Sequence, residues 1–544
     1  MMQASEETYG DIRGALGTLR QSDVGPRTGW AHRLRTLLAI LGPGLIVMVG
    51  DNDAGAFSTY AQAGQNYGTT LLWTLALLIP VLYVNQEMVL RLGTITGVGH
   101  ARLILERFGR FWGAFSIIDL FILNALTLVT EFVGISIGLG ILGVPKALGV
   151  GAAAALVMAA AATGDFRRFE RFALALVFGS VLLLPIFLMT RPPWSAIAHD
   201  FLVPQLPPRA HLADVMLLVI AIVGTTVAPW QLFFQQSYVI DKRIGPRFIN
   251  YERLDLIIGI AIVILGAVAM IAFCAHAFTG TAEFGRFTDA AGVAQGLDRF
   301  HGSRLPGTLF ALALIDASII GAAAVSLSSA YAVGDVFSTR HSLHESPGRA
   351  KVFYGIYCCL IVFAAALVLI PRMPLGLLTN AVQTLAGVLL PSASVFLLLL
   401  CNDKELLGPW ANSFRLNVFT TLVVGVLVLL SLILTAAVLF PGISGAQVVG
   451  ILSAGTALGA VAAAAVAYRS RRAPANASDS ARPSVPREQP RVSSHVERGG
   501  WRVPRLETLG PIRLTPTRRI WMLVLRAYLV IAVVMVIVRV AQTA

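Results

Sequence analysis

Runs of about 20 predominantly apolar residues recur along this chain, each long enough to carry a helix across the hydrocarbon core of a bilayer. Lipid offers no partner to a backbone N–H or C=O, so such runs fold as helices or as closed barrels. The alternating pattern of an outer-membrane barrel strand is absent. Composition agrees: 56% of residues are hydrophobic and 13% charged, with mean hydropathy +0.74, where soluble domains carry roughly 25% charged residues. The chain therefore reads as an all-α polytopic membrane protein. The expected spans, 1 to 13, are 37–66, 70–97, 112–142, 147–165, 172–190, 212–241, 254–280, 307–337, 352–371, 377–401, 414–440, 445–468 and 519–541.

The net charge of +13 is a topology signal rather than a nucleic-acid signal. Most of the 42 Lys and Arg fall before span 1 and in the loops from even-numbered to odd-numbered spans. That bias places the N-terminus in the cytoplasm, and a bacterial cytoplasmic (inner) membrane is the expected location. Residues 1–36 are polar and too mixed for a cleavable signal, and read as a disordered cytoplasmic tail. The loop 281–306 reads as surface structure with little chemistry. Residues 469–518 (RSRRAPANASDSARPSVPREQPRV at their start) read as a disordered Arg/Pro/Ser-rich linker whose arginines lie against anionic lipid. The expected division is thus tail 1–36, transport core 37–401, accessory helices 402–468, linker 469–518 and terminal helix 519–541. Cys274, Cys358, Cys359 and Cys401 show no metal or redox spacing and read as packing residues.

Two spans are interrupted. Span 1 contains GDNDAGA at 50–56, and span 6, five spans later, contains GTTVAPWQ at 224–231. Glycines and carboxylates break the first, and Pro229 removes a donor from the second. Unwound backbone at membrane depth is tolerated where it is buried in protein or lines a cavity. Interruptions at matching places of two five-span halves predict an inverted-repeat transporter with its site at the midplane. Asp51 and Asp53 have no Lys or Arg in their own span, so the pocket is electronegative and suits a hard cation.

These stretches resemble the natural-resistance-associated macrophage protein (NRAMP) family. DAGAFSTYAQAG resembles its first-helix motif, VNQEMVLRLGTITG at 84–97 its second-helix ending, TEFVG at 130–134 part of its third-helix acidic motif, and GTTVAPWQ its sixth-helix motif. The resemblance covers roughly 38–440 and implies a LeuT-like inverted repeat of helices 1–5 and 6–10, with helices 1 and 6 broken and further C-terminal helices, 12–13 spans in all. It lays Asp53 on the family's metal-binding Asp, Ala56 on its Asn ligand, Ala228 on its Met ligand and Thr225 on an Ala whose carbonyl contributes. Trp230 and Gln235 stand where the family has histidines, and Leu128 where it has an acid beside Glu131. These departures resemble the NRAMP-related magnesium branch, described as a wider site without proton coupling.

Chemistry points the same way. Loss of a sulfur donor removes a reason to prefer Mn²⁺ or Fe²⁺, and a shorter residue 56 leaves room for the waters Mg²⁺ retains. The expected metal set is Asp53, Ala56, Thr225, Thr226, Ala228 and Gln383, with Thr225 and Thr226 offering hydroxyls and Ala56, Thr225 and Ala228 their carbonyls, directly or through water. Asp51, Glu131, Trp230, Gln235 and Asp316 are expected on the pathway or around the site. Asp51 is alternatively a helix cap, Glu131 a group that hydrates or gates the ion path, Trp230 a packing residue, Asp316 a hydrogen-bonded structural acid and Gln383 a packing residue. Glu87 and Asp119 are expected to pair with arginines. The leading expectation is an Mg²⁺ importer, also passing Mn²⁺, working by alternating access without protons. Two charges crossing about 100 mV gain about 4.6 kcal/mol, enough for a roughly 2,000-fold gradient. The alternatives are a proton-coupled Mn²⁺/Fe²⁺ importer, an organic-amine transporter on the same scaffold, or a membrane sensor. No catalytic motif points to an enzyme, no cofactor is expected beyond the transported ion, and the expected partners are that ion and lipid.

Overall fold

The structure is a computed structural model. It describes residues 10–23, 25–208, 210–371, 375–440 and 443–472, with parts of 501–522. An N-terminal hairpin, β1 (Ile12–Gly14) and β2 (Gly17–Leu19), precedes α1 (Trp30–Ile40), α2 (Pro43–Gly50) and α3 (Ala54–Tyr67). Then come α4 (Trp73–Thr96), α5 (His100–Phe108), α6 (Arg110–Ile141), α7 (Lys146–Ala161), α8 (Phe166–Gly179), α9 (Leu183–Thr190) and α10 (Trp194–Leu202). The second half runs through α11 (Leu212–Thr226), α12 (Pro229–Asp241), α13 (Ile249–Phe278), α14 (Ala290–His301), α15 (Leu305–Val336), α16 (Lys351–Leu369) and α17 (Leu375–Cys401). After α18 (Lys404–Leu407) follow α19 (Phe414–Leu439) and α20 (Gly445–Arg472). All twelve expected spans before 469 are helical, within a few residues of the apolar runs. The span expected over 519–541 lies outside the described residues.

Spans 1 and 6 break where the sequence indicates, between α2 and α3 and between α11 and α12. A further bend of 53° at Leu41–Gly42 separates α1 from α2. Span 5 carries a 3₁₀ turn at Ser180–Leu182 between α8 and α9. The broken first span is cradled by α13. A Cβ at Gly44 would stand 2.7 Å from the Leu256 backbone, and one at Gly64 would stand 2.4 Å from the Ile271 carbonyl oxygen. Small residues allow such close backbone approach between membrane helices.

Three sequence expectations are corrected here. Residues 10–23 and 25–36 are ordered rather than a loose tail. Ile12 and Leu19 pack with Ala39, Ile40, Val239 and Ile244 in a small core of their own. The alternation IRGALGTL supplies the hairpin's apolar face, and the turn leaves room at Gly14 for the Ala39 carbonyl. Second, the loop 281–306 contains α14, capped by Asp289, whose carboxylate accepts from Gly292 N at 2.8 Å. Third, the described end of the expected linker docks on the body. Arg107 donates to the carbonyls of Leu509 and Gly510 at 2.8 and 2.6 Å and pairs with Asp403 and Glu405.

The face bearing the hairpin is closed by buried polar fastenings. Lys242 Nζ, fully buried, donates to the Ile40 and Leu41 carbonyls at 2.6 and 2.9 Å and to Glu170 at 2.6 Å. The other Glu170 oxygen accepts from Ala15 N. Asp255 accepts from Gly44 N at 2.7 Å in the first turn of α2. Glu87 pairs with Arg91 at 3.2 Å and Arg253 at 2.5 Å, as expected. Among the described residues Asp119 meets no arginine; it accepts from Ser392 at 3.4 Å.

On the same face, in the loop after α15, His341 Nε2 lies 3.0 Å from Asp335. Burial alone disfavours the imidazolium, but the hydrogen bond and charge of Asp335 outweigh it, aided by the Thr339 carbonyl and Asp241, and lift His341 to about 9. A folded-state value raised above 6.5 contributes stability that is full below pH 6.5 and lost as pH rises through about 9. Thermal unfolding in detergent across that window should show the midpoint falling, and His341→Gln should flatten the slope. An equal slope in both proteins rejects the pairing.

Candidate metal centre

The two breaks bring polar groups together at the centre of the helical body. At the first, α2 ends at Gly50 and α3 begins at Ala54, leaving Asp51, Asn52 and Asp53 outside regular helix. Asp53 is the N-cap of α3, and its carboxylate accepts from Ala56 N at 2.9 Å. The cap is therefore Asp53 rather than Asp51. Such a carboxylate sits at the positive end of the helix dipole, which stabilises its charge.

At the second break, Val227 and Ala228 are extended between α11 and α12. Pro229 has no N–H, so the Thr225 carbonyl four residues earlier loses its helical donor. The Thr225 hydroxyl is buried without a hydrogen-bond partner among the described residues. Thr226 differs: its hydroxyl donates to the Ile222 carbonyl and meets Tyr60 Oη at 2.7 Å, so it is already spoken for. The expected ligand role thus fits Thr225 better than Thr226.

Asp51 is fully buried, and Gln231 Nε2 donates to one of its oxygens while the other is unpaired among the described residues. Gln86 Nε2 donates in turn to Gln231 Oε1 at 2.9 Å. This Gln86–Gln231–Asp51 relay ties α4 and α12 to the first break. Gln231 lies in the broken motif two residues after Pro229, a position whose signal was available but unread. Tyr60, on α3 facing Thr226, gave no comparable signal.

Glu131 joins the group from α6. One of its oxygens lies 3.3 Å from Ala54 N, and the other has no partner among the described residues. A Cβ at Gly321 of α15 would stand 2.8 Å from the Glu131 carboxyl and 3.2 Å from Asp53 Cβ, so both acids press on one glycine. Among the described residues no Lys or Arg pairs with Asp51, Asp53 or Glu131. Buried charge without a basic partner needs a cation or a proton beside it.

The other expected residues divide. Ala56 takes part through its N–H, given to Asp53, and its carbonyl lies inside α3. Ala228, buried at the break, offers its carbonyl, but that oxygen accepts from Gln231 N at 3.2 Å. Trp230 is fully buried, and its ring would touch a Cβ at Gly50 at 3.7 Å. It packs over the end of α2. Gln235 is buried with neither amide atom hydrogen-bonded among the described residues. Asp316 stands apart from this group, beside Gly179 of α8. The Gln383 side chain lies outside the described residues.

A narrow indentation approaches this centre from the face opposite the hairpin. It is lined by Phe287, Thr288 and Asp289 at its outer end and by Ala54, Thr130 and Gly134 at its inner end. The loop before α14 therefore forms part of a vestibule, which corrects the expectation that it carries little chemistry. The molecule is closed on the hairpin face and indented on the other.

Residues 44–437 match the family described as Natural resistance-associated macrophage protein-like. The Divalent metal cation transporter MntH of Burkholderia ambifaria is 26% identical over 426 residues, covering 74% of this chain and 89% of that protein. The MntH of Yersinia enterocolitica is 27% identical over 431 residues, covering 75% and 96%. The crystal structure of a manganese transporter from Eremococcus coleocola, in complex with an aromatic bis-isothiourea substituted compound, has TM-score 0.62 at 21% identity. It covers 80% of this chain and 94% of that one. The fold is LeuT-like, with its two broken spans in the expected halves. The chain belongs to the natural resistance-associated macrophage protein-like family.

Proposed function

We propose that this protein carries divalent metal cations across the membrane by alternating access, as its relatives are named for doing, with Mn²⁺, the ion named for the Eremococcus coleocola transporter, as the leading substrate. One observation carries the reading: Asp51, Asp53 and Glu131 converge at the crossing of two unwound spans with no basic partner among the described residues. The proposed first contacts are the carboxylate of Asp53, the Thr225 carbonyl and hydroxyl, and water. Asp51, held by Gln231, supplies long-range attraction. The hairpin face is taken as cytoplasmic, from the positive-inside bias, in a bacterial inner membrane. Residues 37–401 form the transport unit and 402–468 flank it.

Alternating access follows from where the breaks lie. Bending at Leu41–Gly42 and at residues 51–53 lets α2 move as a short rigid arm. In the present state its inner end is held by Lys242 and Asp255 while the opposite face is indented. Release of those contacts would open the hairpin face to an ion already seated at Asp53.

A second reading, Mg²⁺ transport without protons, is favoured by residue 228. Alanine offers no thioether, so the donors are all oxygen and discriminate weakly against Mg²⁺. The closeness of Glu131 to Asp53 weighs against its proton-free part, because that pair provides a proton acceptor beside the ion. Flux into proteoliposomes under an imposed potential, with Mn²⁺, Mg²⁺ or Ca²⁺ outside and internal pH recorded, separates the readings. Saturable Mn²⁺ entry with acidification supports the first, and Mg²⁺ entry at constant pH the second. Absence of flux for every ion defeats both. Restoring a sulfur donor with Ala228→Met should raise the Mn²⁺ over Mg²⁺ ratio by about tenfold.

A further inference from the structure

Asp316 lies mid-way along α15, at membrane depth, and among the described residues it makes no ion pair or hydrogen bond. A carboxylate there is costly unless something answers its charge. Its carboxyl lies against Gly179, where a Cβ would come within 2.1 Å of Oδ2, so the glycine makes the space the carboxyl occupies. Immediately after Gly179 the helix tightens into the 3₁₀ turn Ser180–Leu182. A 3₁₀ stretch inside a long helix redirects carbonyls and often marks a working hinge.

The carboxyl opens into a small cavity lined also by Asn52 and Ser180, with Val49, Phe57 and Leu183 as apolar walls. Asn52 is the residue between the two acids of the first break, and it is 4% exposed. Its Nδ2 donates to the Val263 carbonyl at 3.2 Å, which fixes the amide, and its Oδ1 is left buried without a partner among the described residues. A buried amide oxygen with no donor calls for one or for a cation. Three elements, the span 1 break, the span 5 turn and α15, thus bring residues bearing a carboxylate, an amide and a hydroxyl to the lining of one space.

We propose that this space is a second cation site, distinct from the metal centre, that binds Na⁺ between Asp316, Asn52 Oδ1 and Ser180 Oγ. The ligand charge is one negative unit, so a monovalent ion leaves the site neutral, whereas a divalent ion would leave net positive charge in hydrocarbon. The donors are hard oxygens, which suit a hard cation. The space is about the size of one water, too small for an organic ammonium ion. A Na⁺ bound there ties residue 52 to α15 and to the span 5 turn, and so holds the peptide link between Asp51 and Asp53 in one arrangement. By linkage, Na⁺ and the divalent ion then change each other's affinity, by about tenfold. This coupling rests on the transport reading; the occupancy of the site does not.

The test is equilibrium binding of radioactive Na⁺ to the full chain in lipid nanodiscs, in a choline background. Saturable binding is expected at one ion per chain, resisted by K⁺. Asp316→Asn and Ser180→Ala should each weaken it by about tenfold or more, while Asp53→Ala should retain it. Asp316→Asn is nearly isosteric, and its unfolding midpoint in Na⁺-free choline shows whether it folds. Absence of saturable Na⁺ binding overturns the proposal, as does binding unchanged by Asp316→Asn. A stability change that follows pH through Asp316 but ignores Na⁺ assigns the space to a proton and overturns it as well. Na⁺ binding in a protein that moves no divalent ion leaves this site standing and removes the transport reading alone.

Discussion

Replacing Asp53 by asparagine should abolish divalent-ion flux while leaving the fold intact. Asparagine caps a helix about as well as aspartate, so the hydrogen bond from Ala56 N survives and α3 keeps its start. The charge is lost, and with it the carboxylate that caps α3 at the first break beside Glu131. Altering groups that merely support a metal ligand costs 10–100-fold in affinity, so removing the ligand's charge should cost on the order of 100-fold or more. Asp53→Ala should lose flux equally and add a capping penalty of about 1 kcal/mol. Initial uptake rates and unfolding midpoints of the three proteins decide the matter. Asp53→Asn transporting within about threefold of the natural protein would mean that this carboxylate is a cap and nothing more.

The second large effect is expected at Lys242. Its ammonium, fully buried, answers the buried Glu170 and takes up the Ile40 and Leu41 carbonyls at the bend between α1 and α2. Lys242→Met leaves Glu170 as an uncompensated buried charge, a change that costs about 3–5 kcal/mol in comparable buried pairs. The unfolding midpoint should drop sharply. Lys242→Met combined with Glu170→Met should recover much of the loss, since two apolar groups replace a pair whose desolvation is itself costly. If the single and double variants melt alike, the destabilisation comes from the lost carbonyl contacts rather than the stranded acid. If neither shifts, Lys242 does not hold the arm closed.

Much of this architecture is legible in residue order because a bilayer permits few choices. An apolar run of the right length becomes a helix, and Gly50, Asp53 and Pro229 interrupt two of them by local chemistry alone. The bend at Gly42 was missed because a lone glycine beside a proline resembles an ordinary helix start. The hairpin at 12–19 was missed because its burial depends on Ala39, Val239 and Ile244, far along the chain. Site composition divides in the same way. Asp53 and Thr225 are visible as polar residues inside apolar runs. The pairing of Gln231 with Asp51, or of Asn52 with a space shared with Asp316, depends on which helix faces which. The vestibule stayed hidden for a related reason: Phe287 to Asp289 look like ordinary surface loop until the fold sets them opposite Ala54 and Thr130.

The hairpin carries a mechanical consequence. It is joined to α1 in sequence, grips Ala39 near the end of that helix, and hands its Ala15 amide to the acid that fastens the bend. Any swing of the short arm must therefore tow these leading strands or peel them away. Transport rate should then respond to weight hung on the hairpin, and clamping it to the α8 end would act as a brake on the whole cycle.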